Sequence, residues 1–157
     1  MKVDSFSEIE EEFRRRVEKI VWCTVATVDP KGRPRSRILH PIWNGSRGWI
    51  ATGRTSPKAA HLAAYDHVSL SYWTPDQEQV YAECRTEWRD DLAEKKRLWK
   101  LFKETPDPMG YDPGLFWKSP EDPDCGFLEL FPWRIEIWSL GSMMQGQAPQ
   151  VWEPGSK

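Results

Sequence analysis

The chain has 157 residues, 29% of them charged, and a formal net charge of −2. That length favours one domain with a genuine core. The charge balance excludes a global attraction to nucleic acid or to an anionic membrane surface.

The amino-terminal stretch MKVDSFSEIEEEF is acidic and helical in pattern, unlike a signal peptide. No apolar run approaches a membrane span. Ser7-Glu8-Ile9-Glu10 reads as a capping box, and Ile9, Phe13, Val17 and Ile20 recur at helical spacing, which predicts an amphipathic helix over 7–20. Trp22–Val28 is a predicted strand, Asp29-Pro30-Lys31-Gly32 a turn, and Arg33–Trp43 the returning strand. Asn44–Gly48 forms the next hairpin, and Trp49–Thr52 is the third strand. A short helix over Ser56–Tyr65 follows. His67–Trp73 and Gln79–Trp88 then form a strand pair across a Thr74-Pro75-Asp76 turn. Asp91–Glu104 is a charged helix with Leu98, Leu101 and Phe102 on one face. Residues 105–125 read as a loop, and Phe127–Leu140 as a last strand broken near Pro132. The pattern predicts a mainly β, α+β protein: a six-stranded antiparallel barrel with flanking helices, one domain over 1–140. The Gln-, Gly- and Pro-rich segment 141–157 is expected to be a flexible tail.

Ten tryptophans are the compositional outlier. Such rings fill a barrel core, or line a flat ligand or a subunit interface. Cys23, Cys84 and Cys125 form neither a disulfide framework nor a zinc spacing, so each is expected to be a small buried residue in a reducing cytoplasm.

The most informative stretch is Trp49–Leu62, WIATGRTSPKAAHL. An apolar strand runs into a helix start with Ser56 as N-cap and Pro57 as first helical residue. The free N–H groups and positive dipole end of such a helix favour an anion. Thr52, Thr55 and Ser56 add hydroxyls, and Arg54 and Lys58 add charge; together they match the size of one phosphate. An S-P-K start alone usually binds only its own backbone, but a basic strand precedes it. Arg33, Arg35 and Arg37 alternate and so share one strand face. A guanidinium fixed there can clamp phosphate; a solvated face is the plainer alternative, above all for Arg33 and Arg35. The two strands are expected to pair as a hairpin that sets Arg37 beside Thr52. Gln79 could offer an amide and Trp73 a stacking ring, or their hairpin could simply face solvent. His40, His61 and His67 make no metal-ligand spacing, and no metal site is expected. No nucleophile elbow, Gly-rich dinucleotide loop or Walker sequence is present. No side chain stands out as a catalytic acid or base, His40 and Tyr72 being the nearest candidates.

Taken in order, the R-S-R-I-L strand, W-I-A-T strand, S-P-K helix, V-S-L-S-Y-W strand and Q-V-Y-A-E-C-R strand resemble the pyridoxamine phosphate oxidase-like proteins, the FMN-binding split β-barrels. The resemblance covers residues 9–140. It implies a homodimer holding FMN between its subunits. It implies that Arg37 and Lys58 bind the FMN phosphate, with Ser56, Pro57 and the helix start helping. The backbone of Ile38, Leu39 and His40 would lie along the flavin ring, with Thr52 near the ring or ribityl chain. Gln79 would reach the cofactor from the next hairpin, and Trp117 or Trp133 would come from the partner subunit. Two departures argue against a true pyridoxamine phosphate oxidase. Pro57 stands where those enzymes have the first of two basic residues, and the segment GSMMQGQAPQVWEPGSK lacks the Arg and His that grip the vitamin phosphate. The resemblance therefore points to the short general-stress-like members and to the actinobacterial branch with deazaflavin-dependent reductases. Arg33, Arg35 and Arg54 would suit the longer, more acidic deazaflavin tail. The expected activity is hydride transfer between FMN and a small-molecule substrate. The alternatives are a deazaflavin reductase, a flavin- or haem-holding module without turnover, and a cofactor-free Trp-rich dimer.

Overall fold

The computed structural model describes residues 1–155. Its strands are β1 (Lys2–Val3), β2 (Cys23–Val28), β3 (Pro34–Leu39), β4 (Ile42–Asn44), β5 (Arg47–Gly53), β6 (His67–Trp73), β7 (Glu78–Trp88), β8 (Cys125–Ser139) and β9 (Gln150–Trp152). The helices are α1 (Glu10–Ile20), α2 (Pro57–Ala64), α3 (Leu92–Glu104) and α4 (Leu140–Met144).

The expected single strand over 33–43 is two strands. Pro41 lacks the N–H that a continuous ladder needs, and the chain turns at His40-Pro41. β3 pairs with β2 on one side of that corner, and β4 pairs with β5 on the other. The corner closes a ring, because β5 pairs with β8, β8 with β7, β7 with β6 and β6 with β2. All these pairings are antiparallel. Counting β3 and β4 as two arms of one strand, the ring is the six-stranded barrel that the sequence pattern predicts. The expected hairpin between the arginine strand and the W-I-A-T strand does not form, since β3 and β5 do not pair.

β8 runs unbroken through Pro132. The register shifts so that Cys84 faces Pro132 and Glu83 faces Arg134, which bulges Trp133 out of the ladder. Residues 141–155 are not a tail without structure. α4 follows β8 directly, and β9 pairs antiparallel with β8 and parallel with β1. Apolar anchors explain this: Trp152 packs on Phe6, ring centroids 5.1 Å apart, and joins the edge of the core. Ser156 and Lys157, the end of that expected tail, lie outside the described residues. At the amino terminus the capping pair is Ser5 and Glu8, whose carboxylate accepts the Ser5 N–H at 2.8 Å, and α1 begins only at Glu10.

Two apolar cores share the barrel wall. The larger lies inside, where Ile9, just before α1, and Phe13 and Val17 of α1 plug against Val25, Ile50, Leu70, Val80 and Leu130. The smaller lies outside, where Leu98 and Phe102 of α3 cover Trp49, Ala51 and Phe127. The amino-terminal half of β8 is therefore buried on both faces, six residues in a row from Cys125 to Leu130. α3 starts where Asp91 accepts the Glu94 N–H at 3.1 Å. None of the described helices is long and apolar enough to cross a membrane.

Candidate functional site

The corner at His40 sets the walls of an open cleft of about 570 Å³. Leu39 and His40 leave β3 along one side, and Ala51, Thr52 and Gly53 of β5 form the floor. The segment after α3 supplies the other wall through Pro108, Tyr111, Leu115, Phe116 and Trp117. Trp22 closes the near end. It owes its position to Val21, whose φ of 63° is unfavourable for a β-branched residue and lets Trp22 N–H donate to the Ile20 carbonyl at 2.7 Å. The walls are aromatic: His40 stacks between Trp22 and Tyr111 with ring centroids 5.0 and 4.9 Å away.

His40 also ties the far wall down. Its Nε2 lies 2.8 Å from the Met109 carbonyl, so that nitrogen carries the proton and donates it. Burial pushes the His40 pKa below its ordinary value, against the pull of that carbonyl. Gly110 folds the same segment back so tightly that a Cβ would fall 1.8 Å from the Thr105 carbonyl oxygen, so only glycine fits. Tyr72 is no acid or base of this cleft. It is buried in the main core, its hydroxyl accepts from Trp43 Nε1 at 2.9 Å, and burial holds its pKa well above the usual value.

Beside the cleft, β2, β3 and α2 bring two cations together. Arg37 Nη1 donates to Thr27 Oγ1 at 2.7 Å and to the Val25 carbonyl at 3.2 Å. Lys58, one residue into α2, donates to Ser56 Oγ at 2.8 Å. Ser56 sits at the N-cap position, but its hydroxyl donates to the Gly53 carbonyl at 2.6 Å instead of capping the helix. Pro57 is the first helical residue, as expected. Burial, then the Arg37 charge, lower the Lys58 pKa; Asp124 opposes them. Burial, then Arg35, lower that of Arg37. Asp124 itself is occupied, accepting from the Thr55 N–H at 2.9 Å, from the Thr55 hydroxyl and from Trp117 Nε1 at 3.3 Å. Neither Arg37 nor Lys58 is in an ion pair among the described residues. Two like charges are half-buried together without a paired carboxylate among the described residues, an arrangement that a bound anion would stabilise. Gly53 joins it to the cleft, lining one and bonding Ser56 in the other.

The structure thus gathers Arg37, Ser56, Pro57 and Lys58 at one corner and Leu39, His40, Thr52 and Trp117 around the adjoining cleft. Three expectations fail. Thr55 is spent on Asp124. Arg54 is spent on Asp90, at 3.0 Å, and stacks on Trp88. Arg33 is spent on Asp29, at 2.7 Å, in the β2–β3 turn. Trp117, a candidate for arriving from a partner subunit, lines the cleft of its own chain. Ile38 points away from Arg37 and is 58% exposed. Gln79 lies on β7, outside the cleft, accepting the Tyr81 hydroxyl at 2.5 Å. Trp22, Tyr111 and Phe116 were not legible as wall residues, because the turn at Val21 and the fold of the 105–117 segment are set by tertiary packing.

An antiparallel barrel with flanking helices, a cofactor-sized aromatic cleft and an adjoining cationic corner defines the split-barrel class. A family model described as pyridoxamine 5'-phosphate oxidase matches residues 9–153, and the chain belongs to that family. The match runs past residue 140 and takes in α4 and β9. Pyridoxine/pyridoxamine 5'-phosphate oxidase 1 of Ralstonia nicotianae is 29% identical over 151 residues, 82% of this chain and 71% of that protein. The pyridoxine/pyridoxamine 5'-phosphate oxidase of Paraburkholderia xenovorans is 42% identical over 64 residues, 40% of this chain but only 30% of that protein's length. Among solved structures, a Clostridium acetobutylicum protein related to general stress protein 26 superposes with a TM-score of 0.74 at 15% identity, over 97% of each chain. A pyridoxamine 5'-phosphate oxidase-related, FMN-binding protein of Nostoc punctiforme gives 0.65 at 18%, over 95% of this chain and 96% of that one. An F420 reductase gives 0.60 at 18%, over 78% and 94%. At these identities the structural likeness speaks to the fold alone.

Proposed function

We propose that this protein holds FMN by its phosphate at the Arg37–Lys58 corner and acts as a homodimeric oxidoreductase on a small substrate. One observation carries the reading: two half-buried cations converge from separate elements, and no carboxylate among the described residues pairs with them. The adjoining cleft, at about 570 Å³, has the size of a cofactor pocket and flat aromatic walls. Bound FMN would supply the hydride chemistry. The chain's own residues bind, orient and shield. Arg37 and Lys58 anchor the phosphate, with the Ser56–Pro57 turn beneath them. The backbone of Ile38, Leu39 and His40 and the Thr52 side chain flank the ring. Trp22, Tyr111, Phe116 and Trp117 exclude water. The His40 proton is committed to Met109, and burial pushes the Tyr111 hydroxyl up to about 12, so neither is set to exchange a proton near neutral pH. A substrate stacked in the cleft would therefore react by proximity and orientation.

The homodimer reading rests on the cleft's rim, where Trp22, Ile38, Leu115 and Phe116 are 56%, 58%, 75% and 67% exposed. Gln79 would meet the cofactor only across that interface. FMN is favoured over a deazaflavin because two of the three cations suited to a longer acidic tail are taken. Arg33 and Arg54 are in ion pairs, and Arg35 alone of the three is in none among the described residues.

The test is an FMN titration of the protein and of an Arg37→Ala/Lys58→Ala variant. Two charge-assisted hydrogen bonds are removed, so affinity should fall on the order of a hundredfold or more. Circular dichroism should stay unchanged. A double variant that retains FMN at full affinity would remove the site assignment, and retention of a deazaflavin alone would shift the cofactor. Anaerobic addition of a nicotinamide donor then separates enzyme from carrier: the proposal expects the flavin absorbance to bleach.

A further inference from the structure

Arg37 does not stand alone at the corner. Its Nη1 donates to Thr27 Oγ1 at 2.7 Å, and Thr27 Oγ1 lies 2.9 Å from His61 Nδ1. Thr27 and His61 are 2% and 8% exposed. The hydrogen-bond directions follow from chemistry. A guanidinium only donates, so Thr27 Oγ1 accepts from Arg37. Thr27 is buried, and His61 Nδ1 is the side-chain acceptor beside its hydroxyl proton. His61 Nδ1 therefore accepts, and the ring carries its proton on Nε2. His61 stands one turn beyond Lys58 on α2. The chain of bonds thus runs from β3 through β2 to the helix that bears the second cation. It leaves Arg37 braced on neutral oxygens, its charge uncompensated.

We infer that Thr27 and His61 are positioning residues that hold Arg37 in register with Lys58, and that they set the preference of this site for a phosphorylated flavin over its unphosphorylated form. The inference rests on the phosphate-binding reading above and deepens it. Neither residue needs to touch the ligand. Thr27 fixes where the guanidinium points, and His61 fixes the Thr27 hydroxyl and ties that point to α2.

The experiment measures FMN and riboflavin affinity for the same set of proteins and compares the ratio. Riboflavin carries the same ring without the phosphate, so its affinity also reports whether the cleft is intact. Thr27→Val keeps the shape and removes the hydroxyl. It should lower the FMN-to-riboflavin ratio about tenfold, the loss expected for one hydrogen bond to a charged group, with riboflavin affinity unchanged. His61→Ala should lower the ratio in the same direction, and Thr27→Ser, which restores the hydroxyl, should restore it. An unchanged ratio in Thr27→Val, or a parallel loss of both ligands there and in His61→Ala that Thr27→Ser does not repair, would overturn the inference while leaving the phosphate site standing. Equal affinity for the two ligands in the unaltered protein would remove the phosphate reading itself, and this inference with it.

Discussion

Two clusters of cations in this barrel put charge to opposite uses. On the outer face of β5, β7 and β8, Arg47, Arg85 and Arg89 surround the ring of Phe131, at 4.2, 4.7 and 5.6 Å. Carboxylates lie among them: Glu129 receives both Arg47 and Arg89, and Glu87 receives Arg85 at 2.5 Å and Arg89 at 3.1 Å. On the β2–β3–α2 face, Arg37 and Lys58 lean on neutral oxygens and repel each other. The first cluster is closed, since its guanidinium groups have partners and its aromatic platform is covered. The second is open, and its two charges each disfavour the other until an anion arrives. The difference lies in the placement of carboxylates, which a count of basic residues along the chain does not reveal.

The largest effect that would sharpen this contrast is on stability. The Glu129 side chain is 5% exposed and accepts from two arginines. Glu129→Gln removes its charge while the arginines stay, and should cost about 2–3 kcal/mol. That is a fall of several degrees in melting temperature for a domain of this size, and FMN affinity should not change. Lys58→Met should do the reverse. Losing one of two repelling half-buried charges should leave the melting temperature unchanged or slightly higher, while FMN affinity falls about tenfold. Thermal melts and titrations of both variants check the pair. A Glu129→Gln protein that melts with the parent would erase the distinction between closed and open clusters.

Much of this fold was legible in the chain because local signals agree with the tertiary ones. Period-two alternation in TVATV and VSLSYW, the S-P-K helix start and the turn glycines mark the elements correctly. The failures share a cause. Pro41 splits one apparent strand into two, and that split abolishes the expected contact between Arg37 and Thr52. The chain-end segment reads as loose because it is polar, yet Trp152 finds Phe6 and β9 finds β8. At the site, the alternating arginines and the S-P-K helix start marked Arg37 and Lys58 as candidates, and the family resemblance joined them at one phosphate. That Arg33, Arg54 and Thr55 would be consumed by Asp29, Asp90 and Asp124 was not legible, since each bond except the turn contact joins residues far apart in sequence. The Thr27–His61 brace was invisible for the same reason.

A smaller effect tests the open corner through pH. Lys58 is held below its ordinary 10.5 by burial and by Arg37. Bound phosphate would favour the charged ammonium and raise that pKa. Above the depressed value the free protein has already lost the proton, so binding must take one up, and affinity falls as pH rises. The FMN-to-riboflavin ratio should therefore decline with alkalinity before pH 10.5 is reached, and Lys58→Met should flatten the decline. A ratio that stays level in the parent protein would show that Lys58 does not sense the phosphate.

The smallest effect belongs to the cleft wall. His40 is buried as the neutral ring, and burial holds its pKa below the ordinary 6.5. In the unfolded chain it would take up a proton near 6.5, while in the folded protein it resists to lower pH. Through that window the unfolded state binds more protons, so the His40 contribution to stability falls as pH drops. His40→Gln keeps an N–H donor for the Met109 carbonyl and removes the titration. The melting temperature of the parent should fall toward that of the variant as pH is lowered from about 7.5 to 5. If the gap between them stays constant over that range, the 105–117 segment is held to the barrel by Tyr111 and Gly110 packing, and the His40 bond to Met109 contributes nothing that depends on its neutral state.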